Sequence, residues 1–151
     1  MDSLGVMTPK ESIGQYGGTL HGAYRGLSDR WGPTKLQEEY LIMWDIPDAS
    51  TIKLAPNIVE KWDQNADASE YTFYLRKGLK WSDGVEVTTD DTKFWLEDVQ
   101  MNKDLTPAPS FVIRQKIGAD YKMADITIVD STTFKVKYAA PNPLIPILMA
   151  K

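Results

Sequence analysis

One short stretch of this 151-residue chain combines residue types that suit ligand binding. Residues 29–34 bring an aromatic ring, a guanidinium group and exposed backbone groups together in one predicted loop. Such a loop can stack on a sugar or hydrogen-bond a peptide backbone. A tryptophan tucked under a Gly-Pro turn explains the same residues equally well. The candidate ligand-binding residues are Asp29, Arg30, Trp31, Gly32 and Thr34.

A second stretch, residues 63–69, carries oxygen-bearing side chains at alternate positions, as a calcium-binding loop does. That loop requires Gly at its sixth position and a bidentate Glu at its twelfth. The corresponding residues here are Ala68 and Tyr74. The stretch is therefore predicted to be a polar turn and not a metal site.

The acidic residues between positions 90 and 98 do not have the pattern of a catalytic pair. Adjacent helical positions such as Asp90 and Asp91 diverge by about 100°, whereas a general acid and base must face each other across a pocket. Both residues suit the first turn of a helix, where the helix dipole favours negative charge. No phosphate-binding glycine motif or G-x-S-x-G motif occurs, so we expect no enzyme activity.

The composition excludes several classes of site and partner. The chain has no cysteine and one histidine, His21, which excludes thiolate chemistry, disulfides and multi-histidine metal sites. We therefore expect neither a metal nor a cofactor. The 17 basic and 21 acidic residues give a net charge of −4 without a basic stripe, which argues against a nucleic-acid partner. No apolar run approaches the ~18 residues of a membrane span, and the N-terminus lacks signal-peptide features.

The apolar periodicity predicts strands and helices that do not alternate as βαβ units, which is typical of an α+β fold. In the strand at 71–76, Tyr71, Phe73 and Leu75 are expected to share a buried face. The helix at 90–101 is expected to begin after a Thr88 or Thr89 cap and to bury Trp95, Leu96 and Val99. The predicted strands are 19–24, 51–54, 71–76, 126–129 and 134–138, and the predicted helices are 35–44, 56–60, 90–101 and 143–149.

Residues 71–91 resemble the signature of the family 5 extracellular solute-binding proteins. They begin Tyr-Thr-Phe-Tyr-Leu-Arg-Lys-Gly-Leu-Lys-Trp-Ser-Asp-Gly and end Thr-Thr-Asp-Asp. The family pattern is similar, with Ala and Val where this chain has Thr89 and Thr92. Stretches 14–20, 54–62 and 130–143 also resemble family segments, so the resemblance covers about residues 14–150.

The resemblance implies a fragment of a type II periplasmic-binding-protein fold of cluster C, with a mixed or antiparallel sheet and flanking helices. Family members are several times longer and have two lobes that close on a ligand. Residues 1–13 would be a flexible lead-in, 14–44 the start of the first lobe and 45–151 an extra α+β domain of that lobe. The second lobe would be absent, and the signature would be structural.

The function implied is that of the substrate-binding component of an ABC importer. It would bind oligopeptides, or oligosaccharides, outside the cytoplasm and deliver them to the membrane permease. The protein would be periplasmic or anchored at the cell surface, with any signal peptide or lipid anchor upstream of residue 1. The alternative is a stand-alone protein-interaction module that reuses this fold. The apolar stretch 144–149, which is expected to need a covering layer, argues against that alternative.

Overall fold

The computed structural model describes residues 15, 17–19, 21, 38–48 and 50–150. The described chain forms strands and short helices in an irregular order, with both helices outside any βαβ unit. The strands are β1 (Ile42–Asp48), β2 (Thr51–Pro56), β3 (Val59–Gln64), β4 (Glu70–Leu75), β5 (Arg114–Ile117), β6 (Asp120–Met123), β7 (Asp125–Asp130) and β8 (Thr133–Lys137). The helices are α1 (Thr89–Phe94), which continues as the π-helical segment Trp95–Gln100, and α2 (Ile145–Leu148).

A four-stranded antiparallel sheet with the order β3-β4-β8-β7 forms the centre of the described chain. Two hairpins, β1-β2 and β5-β6, form separate two-stranded sheets. Helices and antiparallel strands are therefore segregated, and the predicted α+β class is confirmed.

One face of the central sheet forms the core. Tyr71, Phe73 and Leu75 alternate along β4 with at most 4% of their surface exposed, as the period-two pattern predicts. Across the β4–β8 pair, Phe73 lies opposite Phe134 and Tyr71 opposite Val136. The two phenylalanine rings stack with centroids 5.2 Å apart. Directly opposed apolar side chains of this kind stabilise both the sheet and its register.

The connection between β3 and β4 is the polar turn expected from the sequence. The Asn65 Oδ1 atom accepts hydrogen bonds from the backbone N–H groups of Ser69 and Glu70, each at 2.9 Å. The Asp67 carboxylate accepts the Ser69 hydroxyl at 2.7 Å. These side-chain oxygens close the turn itself, as Asn and Asp commonly do.

Helix α1 begins where the sequence predicts. Thr88 is its N-cap, and the Thr88 hydroxyl accepts the N–H of Asp90 at 3.2 Å. In return the Asp91 carboxylate accepts the N–H of Thr88 at 2.8 Å, which completes a capping box. The predicted burial of this face is wrong, since Trp95 is 37% exposed and Leu96 and Val99 are only half-buried. The segment is π-helical from Trp95, so positions spaced for an α-helix no longer share one face.

Two predicted helices are wrong. Residues 42–44 of the helix predicted at 35–44 belong to β1, where Met43 pairs with Ala55 and Trp44 with Leu54. The spacing of their apolar side chains suits a helix, but strand pairing overrides that local preference. The helix predicted at 56–60 is absent from the described chain, because Pro56 ends β2 and β3 begins at Val59.

The later strands agree better with the sequence. The predicted hairpin 126–129 and 134–138 corresponds to β7 and β8. The predicted strand 51–54 is the first part of β2, and the predicted helix 143–149 is reduced to α2. Strands β5 and β6 were not predicted. The strand predicted at 19–24 lies largely outside the described residues.

Candidate functional site

The loop predicted to bind ligand lies outside the residues that the structure describes. Its interpretation as a binding loop therefore stays a prediction. This applies to each of its candidate residues, Asp29, Arg30, Trp31, Gly32 and Thr34.

The described residues enclose an apolar groove of about 840 Å³. The groove lies between the inner face of the central sheet and helix α1 with its π-helical extension. Its volume falls within the range of small-molecule sites, which are mostly apolar with a few polar groups. The residues that line it include Tyr40, Leu41, Leu75, Trp81, Asp91, Phe94, Trp95, Val99, Phe134 and Met149.

At the edge of the groove, residues 81–91 form hydrogen bonds with one another. The Trp81 indole N–H donates to the Asp91 carboxylate at 3.2 Å, and the other oxygen of that carboxylate accepts from Thr88. Asp83 accepts the N–H of Val85 at 2.9 Å within the preceding turn. The polar groups of this stretch therefore position a hairpin turn and the start of α1.

Several titratable groups with shifted pKa values lie in turns and in the core. Burial raises the pKa of Tyr138 well above 10, and its hydroxyl donates to the Val112 carbonyl at 2.6 Å. Hydrogen bonds from a residue two positions further along the chain lower the pKa of three turn carboxylates, Asp48 (from Ser50), Asp67 (from Ser69) and Asp130 (from Thr132). These four groups stabilise the fold, and the groove is lined by other residues.

Two further findings concern the described residues alone. They contain no group of three or more His, Cys, Asp or Glu side chains that could hold a metal ion. None of their helices is long and apolar enough to cross a membrane.

Sequence reasoning missed Gln115, which connects the β5-β6 hairpin to the segment that follows β8. The Gln115 side chain donates to the Ala140 carbonyl and accepts the Ala140 N–H, both at 3.0 Å. The sequence signal for this hairpin was Gly118, because glycine is a typical turn residue. In the structure Gly118 follows β5 and has a φ of 63°. Sequence reasoning also missed the groove, which is lined by two exposed aromatic residues. Trp81 is 52% exposed and Phe94 is 61% exposed.

Comparison with known proteins identifies the family. The sequence model described as "Bacterial extracellular solute-binding proteins, family 5 Middle" matches residues 53–151, about two thirds of the chain. The chain belongs to this family. The family 5 match includes β3, β4, α1 and the β7–β8 hairpin, and hence the whole central sheet.

Two individual relatives are also similar in sequence to this family 5 chain. The chain is 38% identical over 86 residues to a "Probable ABC transporter-binding protein" of Deinococcus radiodurans, with coverage of 56% of the chain and 13% of the relative. It is 33% identical over 99 residues to the periplasmic oligopeptide-binding protein OppA of Escherichia coli, with coverage of 59% and 18%. The chain therefore spans less than a fifth of the length of these relatives.

Solved structures show the same fold. An oligopeptide-binding protein OppA matches with a TM-score of 0.77 and 35% identity, over 93% of this chain and 21% of that chain. The periplasmic binding protein MelB of Agrobacterium fabrum, in complex with stachyose, matches with a TM-score of 0.57 and 26% identity. That match covers 74% of this chain and 17% of MelB. The described chain is thus a fragment of the family 5 solute-binding fold.

Proposed function

We propose that this chain is part of the substrate-binding component of an ABC importer. The observation that carries the proposal is the family 5 match over residues 53–151. Such a protein binds its ligand outside the cytoplasm and delivers it to the membrane permease without changing it chemically. The ligand bridges two lobes and shifts the population towards a closed form.

We propose that residues 45–151 form an extra α+β domain of the first ligand-binding lobe and that residues 14–44 are the start of that lobe. Ile42, at the start of β1, forms a parallel bridge with Ala150. This bridge joins the two proposed parts, because Ile42 falls in residues 14–44 and Ala150 in residues 45–151.

The hydrogen bonds of the signature stretch support a ligand site elsewhere. Trp81 and Asp91 bond to each other and to the start of α1, so their polar groups are already occupied. The loop at 29–34, with its aromatic ring and guanidinium group, is a separate feature of the sequence. We place the ligand contacts of this chain on that loop, at Asp29, Arg30, Trp31, Gly32 and Thr34.

Oligopeptide is the first choice of ligand. A relative and a solved structure named for oligopeptide binding both match at 33–35% identity. Oligosaccharide is the second choice, because MelB holds stachyose and because Trp31 could stack on a sugar face.

Thermal unfolding of the parent-length protein with a pool of short peptides, and separately with a pool of oligosaccharides, tests the proposal. Ligand at ~100 times its Kd should stabilise the folded state by about 2.7 kcal/mol. Trp31→Ala should abolish the shift, whereas Trp81→Ala should lower the basal stability but preserve the shift. A shift lost only in Trp81→Ala would instead place the ligand in the groove. No shift with either pool would favour the stand-alone interaction module.

A further inference from the structure

We draw no further inference here: the strongest candidate, the apolar groove between the inner face of the central sheet and helix α1, carries none because nothing in the described part of the structure shows what covers it.

Discussion

The Thr89 hydroxyl donates a 2.6 Å hydrogen bond to the backbone carbonyl of Asp130, 41 residues further along the chain. The N–H of Thr89 also donates, at 3.0 Å, to the carbonyl of Ser131. Thr89 is only 1% exposed. Thr89 therefore anchors the first turn of α1 to the β7–β8 hairpin.

Removal of this hydroxyl should destabilise the protein. Thr89→Val keeps the shape of the side chain but leaves the Asp130 carbonyl without its donor. The bond is partly buried, and loss of a typical hydrogen bond costs about 0.5–1.5 kcal/mol, which urea unfolding would measure. Thr92→Val on the same helix is the control and should change the stability by less than about 0.5 kcal/mol. Equal losses in the two variants would contradict the role of the Thr89–Asp130 bond.

The stacked pair Phe73 and Phe134 should dominate the stability of the sheet. Phe134 is 2% exposed and its ring lies 5.2 Å from that of Phe73. Phe134→Ala should cost about 3–5 kcal/mol, because it removes buried apolar surface and leaves a cavity. Phe94→Ala removes the same group from a side chain that is 61% exposed, and chemical denaturation should show a much smaller loss. Similar losses would mean that Phe94 is covered in solution.

At Gly84, the backbone conformation alone should limit which residues the position accepts. Its φ is 89°, and a Cβ placed there would have no atom within 4 Å. Gly84→Ala should therefore destabilise the 81–85 turn by about 1–2 kcal/mol, the cost of a left-handed backbone for a residue with a Cβ. Gly84→Asn should lose less, since Asn adopts positive φ more readily. Thermal unfolding of both variants would show this order, and an Asn variant less stable than the Ala variant would contradict it.

Acid should weaken the β3–β4 turn through Asp67. The Ser69 hydroxyl and backbone N–H hold the pKa of Asp67 below its ordinary value of 3.8. A lowered folded-state pKa contributes stability that is complete above the ordinary value and is lost as the pH falls through the lower one. Urea unfolding between pH 2 and 6 should show this loss in the native protein.

Two substitutions of Asp67 separate charge from hydrogen bonding. Asp67→Asn keeps an oxygen that can accept from Ser69 but does not titrate, so its stability should fall less steeply in acid. Asp67→Ala removes the acceptor as well and should be the less stable variant at pH 7. An unchanged acid slope in Asp67→Asn would show that Asp67 does not contribute to the pH dependence.

Local sequence was enough to predict elements whose signals repeat over a few residues. The alternation of Tyr71, Phe73 and Leu75 predicts a half-buried strand, and a Thr88 or Thr89 cap followed by acidic residues predicts the start of a helix. Each of these patterns involves residues at most four positions apart. The family signature, residues 71–91, lies in this same region. Fold class and family could therefore be inferred before any tertiary contact was known.

Tertiary structure decided the elements whose partners lie far along the chain. Tyr40 is spaced from Met43 and Trp44 as on one face of a helix. The backbone groups of Met43 and Trp44 nevertheless pair with β2 across a hairpin. In the β5-β6 hairpin, the Gln115 side chain hydrogen-bonds to Ala140, which lies 25 residues further along the chain. The sequence by itself determined the central strand, the helix start and the family membership. Long-range hydrogen bonding and burial decided the remainder, because they outweigh local preferences of a few tenths of a kcal/mol per residue.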